Sequence, residues 1–223
     1  MFDKQCSLPA FGDPFYSKAS ENELALLTAN LLKRNPVTFG LLRVLRELQV
    51  PDSWLVSGAI YQNIWNALSG LPHGHGLKDY DLIYFDDTDC SWEAEDVIIR
   101  QIEAATVDLK VPVETRNQAR VHLWYPDRFG STYPKLGCAV ESLNYYASRT
   151  HSVAARLCQN EEIEIVAPYG LANIYAMRLV PNLLLDNSGT YAEKGERMRK
   201  RWPLLTVEPW PVAQVQEVGV PLP

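Results

Sequence analysis

Asp79 and Asp81 stand one residue apart at the mouth of an apolar run, Tyr80-Asp81-Leu82-Ile83-Tyr84-Phe85. Side chains on a strand alternate, so this spacing puts both carboxylates on one sheet face, about 7 Å apart at Cβ. Two anions that close raise each other's proton affinity unless a cation lies between them. Hard carboxylate oxygens in a short bay suit Mg2+ or Mn2+, which keep several waters and also accept substrate phosphate oxygens. Glu114, one helix and one strand further on, is placed as a third carboxylate on a neighbouring strand. Upstream, Ser57-Gly58-Ala59 joins a short apolar segment to a helical one. A small residue there lets a polyphosphate approach the backbone, and the amides of a helix start attract the anion. Phosphate cradle, Asp-x-Asp strand and later acidic strand, in that order, point to phosphoryl-group chemistry.

Other residues near this set have a functional and a bland reading. Lys78 adjoins Asp79 and is placed to touch a phosphate or simply to screen the acids. Asn117, Arg120 and His122 form a polar cluster; on a regular strand Arg120 and His122 share a face and can meet phosphate or base edges. Otherwise Arg120 pairs with a carboxylate and His122 bonds internally. For Asp79 and Asp81 the bland reading is a strand-entry turn in which Asp caps backbone amides. For Glu114 it is an exposed strand residue beside Arg116. His73 and His75 lie in a glycine loop without a third ligand and read as surface. Trp54, Trp65, Trp92 and Trp124 read as core, with base stacking open to one of them.

The elements that must position these residues follow from periodicity. Residues 1–20 are rich in Pro, Gly, Ser and Phe and read as an irregular arm. Ser20 with Glu23 three residues later forms a capping signal for a helix carrying Leu24, Leu27, Leu31 and Leu32 on one stripe. Pro36 separates it from a second helix. A strand at 54–56, a helix at 59–68, a strand at 80–85 and a helix at 91–105 come next, then two strands at 111–114 and 120–124. Beyond these the pattern predicts a helical stretch at 138–147, a hairpin pairing 156–158 with 162–166, and a helix at 171–179. Residues 186–202 read as charged surface, and the chain from Trp202 as an irregular tail. This order predicts a mixed α/β (α+β) layer rather than a repeat array. The core domain spans 21–183 and a charged, Pro-rich extension spans 184–223.

Composition sets outer limits. With 223 residues, 47% of them hydrophobic, the chain can bury a substantial interior. A net charge of −6 excludes the broad basic footprint of a duplex nucleic-acid binder. It leaves room for a small anionic substrate, because a bound cation reverses the local field. Cys6, Cys90, Cys138 and Cys158 are scattered singly, which argues against a disulfide framework or zinc knuckle and for a reducing compartment. The first thirty residues lack a signal-peptide pattern, and no apolar run reaches the ~18 residues of a membrane span. The expectation is a soluble cytoplasmic protein with no membrane partner.

Ser57-Gly58-Ala59 followed by Lys78-Asp79-Tyr80-Asp81-Leu82 resembles the Gly-Ser and Asp-x-Asp signature of the polymerase-beta nucleotidyltransferase superfamily. Three blocks, Lys78 to Asp86, Arg116 to Tyr125, and Ala167 to Leu171 with Pro181-Asn182, are similar to a bacterial family of nucleotidyltransferase-like proteins. The resemblance spans roughly 22–183. It implies Mg2+-dependent transfer of a nucleoside monophosphate from a nucleoside triphosphate to an unknown acceptor, with pyrophosphate released. In that reading Asp79, Asp81 and Glu114 are the metal and catalytic acids, and Ser57, Gly58, Lys78, Arg120 and His122 contact the nucleotide. The chain departs from the pattern in the gap between Gly58 and Asp79, which is longer than in minimal members, at Ala59, which removes a hydroxyl from the cradle, and at Glu114, where Asp is commoner. These departures keep in view a nucleotide-binding module without turnover, and the Pro-rich tail and N-terminal helices, as working surfaces, keep in view an antitoxin-like interaction subunit.

Overall fold

A computed structural model describes residues 8–211. A short helix α1 (Pro14–Lys18) lies within the arm and leads to α2 (Glu21–Arg34) and α3 (Pro36–Glu47). The sequence signals for these ends operate as expected. Glu23 accepts from the Ser20 amide at 2.8 Å, while the Ser20 hydroxyl oxygen accepts from the Glu23 amide. Asn35 Oδ1 caps α3 by accepting from the amides of Val37 and Thr38, with Pro36 at the first helical position. Then follow β1 (Trp54–Val56), α4 (Gly58–Leu68), β2 (Tyr80–Tyr84), α5 (Trp92–Thr106), β3 (Val113–Asn117), α6 (Val121–Phe129), β4 (Ala154–Leu157) and β5 (Ile163–Val166). The described chain closes with α7 (Ala172–Tyr175), β6 (Arg178–Leu179), α8 (Ser188–Arg201) and β7 (Thr206–Val207).

Five strands form one mixed sheet in the order β3-β2-β1-β4-β5. Within it only the β2–β3 pair is parallel, and its register sets Asp81 opposite Glu114 and Ile83 opposite Arg116. Alternation along β1 and β2 divides the sheet faces. Leu55, Leu82 and Tyr84 join the main core with the helical layer of α2 to α5, whereas Trp54, Val56 and Ile83 turn to the other face. There a 3-10 segment, Ala139–Tyr145, supplies Ala139 and Leu143 as partners. Asp79, Asp81, Glu114 and Arg116 share that second face by alternation, so the acids lie opposite the helical layer.

Several elements differ from the sequence expectation. Residues 120–124 are not a strand: a 3-10 turn, Gln118–Arg120, runs into α6. The Asn117 side chain accepts from the Ala119 amide at 3.0 Å and so turns the chain out of β3. The segment 138–147 is a 3-10 run rather than a regular helix. The helix expected at 171–179 stops after one turn because Met177 adopts a positive φ of 49°. The hairpin is present as β4–β5, with Glu161 at φ 64° in its turn. Trp92, expected inside, is 55% exposed.

The largest difference is at 186–202. This stretch is a helix whose buried stripe of Tyr191 and Met198 leads to Trp202. Trp202 packs edge-on against Trp65 at 5.3 Å between ring centroids, and its Nε1 donates to Asn66 Oδ1 at 2.9 Å. A methyl group at Gly195 would meet Val207 at 2.9 Å, so α8 sits against β7 only because that position lacks a side chain. Residues 212–223, to which the sequence assigns the rest of the tail, and Cys6 lie outside the described residues.

Candidate active site

Asp81, Glu114 and Ser57 border one cavity of about 390 Å³ on the sheet face opposite the helical layer. Each arrives there by a different route. Asp81 points to that face by strand alternation, and the parallel register brings Glu114 beside it. Ser57, between β1 and α4, adopts φ 54° and ψ −115°, a conformation that costs a non-glycine residue about 1–3 kcal/mol. The turn is held by the Ser57 amide, which donates to the Val153 carbonyl at 2.9 Å. Gly58 and Ala59 follow in the first turn of α4, where helix geometry provides no partner for the amides.

The electrostatics centre on Asp81. Burial, then the negative charges of Asp79 and Glu114, push its carboxyl up to about 6 from an ordinary 3.8. Lys194 of α8 and Arg116 oppose the shift. Burial also lowers the Lys194 ammonium, while Asp81 and Asp79 help to keep it charged. Arg116 forms a 2.8 Å ion pair with Glu114, both side chains about half exposed. His151, also at the cavity, is 2% exposed and stacks on Tyr61 at 4.6 Å. Burial together with Lys194 and Arg197 holds this imidazole well below its usual range, and its buried Nε2 has no hydrogen-bond partner among the described residues.

Among the described residues no group of three or more His, Cys, Asp or Glu side chains converges around one point to hold a metal ion. What the structure does contain is a half-buried carboxylate that feels two further acids, with one of those acids drawn toward Arg116. Such hard, under-neutralised oxygens fit a divalent cation such as Mg2+ or Mn2+. Asp79 stands at the entry to β2 and acts on Asp81 through its charge. Lys78 is exposed and does not line the cavity.

Arg120 and His122 are not brought to the cavity. Arg120 is ion-paired with buried Glu95, and its Nε donates to the Cys90 carbonyl at 2.8 Å. Glu95 also accepts from the Asn117 amide at 2.7 Å, so this pair stitches α5 to the end of β3. His122 lies on α6 with its Nδ1 buried and unpartnered among the described residues. Lys194, His151 and Arg116 were missed as site residues. Lys194 had a legible signal, since Tyr191, Lys194 and Met198 fall at i, i+3 and i+7 on one helix face. The high charge of the segment hid that stripe.

Residues 43–207 match a protein family described as Nucleotidyltransferase. A solved structure described as revealing a CCA-adding enzyme head domain superposes with a TM-score of 0.64. The match covers 86% of this chain and 98% of that one at 22% identity, a level at which the likeness is one of fold. No curated protein matches the sequence.

Proposed function

The chain belongs to a nucleotidyltransferase family, and on that premise we propose that it transfers a nucleoside monophosphate from a nucleoside triphosphate to an acceptor, with pyrophosphate leaving. The observation that carries this reading is the β2–β3 register, which sets Asp81 and Glu114 side by side at a cavity that Ser57 also borders.

Asp79 and Asp81 would hold Mg2+ or Mn2+, with Glu114 as the third acid. When bound, the ion supplies charge neutralisation at the reacting phosphate. The turn after Ser57 would receive the distal phosphates on the first-turn amides of Gly58 and Ala59, the Ser57 amide being held by Val153. Lys194, held beside Asp81, offsets negative charge that grows on the leaving group. In the transfer, an acceptor oxygen bonds to the α-phosphorus and the bond to the bridging oxygen of pyrophosphate breaks. The acceptor proton passes to the Glu114 carboxylate, which must first loosen its pair with Arg116. The unpaired Cys90, Cys138 and Cys158 fit a reducing, cytoplasmic setting. Among the described residues no helix is long and apolar enough to cross a membrane.

The Glu114–Arg116 pair and the dispersed acids also favour a second reading, a nucleotide-binding module without turnover. One experiment separates the two. The protein is incubated with each labelled nucleoside triphosphate, Mg2+ and a panel of acceptors, and pyrophosphate release is scored. Release that stops with EDTA and with Asp81→Asn is the expected result. Mg2+-dependent nucleotide binding without release would favour the second reading, and undiminished release by Asp81→Asn would overturn the role of that carboxylate as a metal ligand.

A further inference from the structure

The cavity has a second wall, and its chemistry differs from that of the acids. Val121, Trp124, Tyr125 and Phe129 fall at i, i+3, i+4 and i+8 of α6, one continuous helix stripe. Such a stripe ordinarily packs inward. In α6 only Val121 of the four is buried; Trp124 and Tyr125 are partly exposed, and Phe129 is 53% exposed. All four border the cavity. Tyr125 meets Phe129 at 4.6 Å and Tyr133 at 4.7 Å between ring centroids, which makes a broad aromatic surface beside Glu114 and Arg116. Partly exposed aromatic faces grouped at a concave site mark a place for a ligand.

The topology says which ligand. In an in-line displacement the attacking oxygen and the leaving pyrophosphate occupy opposite poles of the phosphorus. Ser57 follows β1, on one side of β2, and receives the leaving group. The aromatic wall follows β3, on the other side of β2, and so stands at the attacking pole. The nucleoside part of the donor leaves the phosphorus between these poles, toward neither.

We propose that the aromatic wall of α6 is the acceptor subsite, and that the acceptor is a compact hydroxyl compound with a flat ring face, a nucleoside or a pyranose sugar. This rests on the nucleotidyl-transfer reading above. Both sources share the same chemistry, since a base plane and the C–H face of a sugar ring each stack on aromatic side chains. An open-chain polyol has hydroxyls but no such face.

Binding is read without turnover by ligand-observed saturation-transfer NMR on the Asp81→Asn protein, with nucleosides, methyl pyranosides and glycerol as probes. One ring class gives a saturable signal and glycerol does not; which class responds identifies the source. Replacing Tyr125 and Phe129 together by Leu, which keeps apolar volume but removes the rings, weakens that binding at least tenfold. Circular dichroism and an unchanged Tm check that the double variant folds. In the otherwise wild-type enzyme the same change raises the acceptor KM at least tenfold and leaves the nucleoside triphosphate KM within twofold. Glycerol binding as well as the ring compounds, no ring compound binding, or indifference to the double substitution would each overturn the proposal. So would a rise in the nucleotide KM alone, which would assign the wall to the donor base. Ring binding that depends on the wall, in a protein that never releases pyrophosphate, would instead sink the transfer reading while leaving the stacking surface.

Discussion

On the proposed chemistry, Asp81 is the residue at which stability and function oppose each other. Its carboxyl is pushed up to about 6 by burial first and by Asp79 and Glu114 next. The folded chain therefore binds this proton more tightly than the unfolded chain, and the fold loses stability as pH rises from about 4 through 6. The shift corresponds to about 3 kcal/mol in full, and solvent access to the cavity reduces this to about 1–2 kcal/mol. Asp81→Asn is expected to be more stable than the parent by that amount at pH 8 and to match it near pH 3.5, measured by urea unfolding without divalent ions. Added Mg2+ reverses the order, because it stabilises only the chain that keeps the carboxylate. In kinetics the proton and the metal compete for this carboxylate, so the acid limb of kcat/KM, read at subsaturating Mg2+, moves to lower pH as Mg2+ is raised. A limb that stays fixed as Mg2+ is raised would show that Asp81 is not the group the metal and the proton share. Arg120 obeys a different logic. Its partner Glu95 is 2% exposed as a side chain, so Arg120→Ala strands a buried anion and costs about 3–5 kcal/mol. Replacing both residues by apolar ones of similar size recovers only part of that loss, because the Asn117 amide then lacks its acceptor, and the nucleotide KM of the double variant stays near the parent's. A tenfold rise in that KM would return Arg120 to the site.

At the scale of elements, legibility depended on whether local pattern and long-range packing agreed. The helix starts at Ser20 and Asn35 were readable because a cap is satisfied within three residues. β2 was readable because an apolar run of that length, entered by two Asp, has few other solutions, and Asp79 and Asp81 were legible with it. Arg120-Val121-His122-Leu123-Trp124 alternates apolar and polar residues and so mimics a strand, yet Asn117 turns the chain just before it. What decides the matter is Glu95, which fixes the Asn117 amide and Arg120 from a helix more than twenty residues upstream. That contact cannot be read from a local window, and with it went the strand geometry that put Arg120 and His122 on one face. Lys194 was hidden differently. α8 carries a net polar composition, and its three buried positions, Tyr191, Gly195 and Met198, are outnumbered by charged ones. A wholly surface helix and a helix with a narrow buried stripe differ only in where the few apolar residues fall.

For the whole molecule, the consequence is that the segment read as an appended extension completes the core and lines the candidate cavity. Trp202 is 1% exposed, fills the space beside Trp65, and satisfies Asn66 through its indole N–H. The same helix carries Lys194 to Asp81. Packing at one end of α8 and charge placement nearer its middle are thus one structural event, since a helix moves as a rigid rod over this distance. Trp202→Ala leaves a large cavity and an unpartnered Asn66 oxygen, which predicts a loss of about 3–5 kcal/mol in urea unfolding. Trp202→Phe retains most of the volume but not the donor, and should lose about 1–2 kcal/mol. Lys194→Met removes the charge without disturbing the stripe, so its unfolding midpoint should stay close to the parent's or rise, because a half-buried ammonium is no longer partly desolvated. If α8 contributes to the reaction only by closing the core, Lys194→Met retains full pyrophosphate release and Trp202→Ala loses it in step with the unfolded fraction. If α8 also delivers the cation, Lys194→Met loses at least tenfold in kcat/KM with no loss of folding, and Lys194→Arg restores part of it. The second pattern is the expected one, because no other residue of α8 places a positive charge so far inside the cavity against the acids.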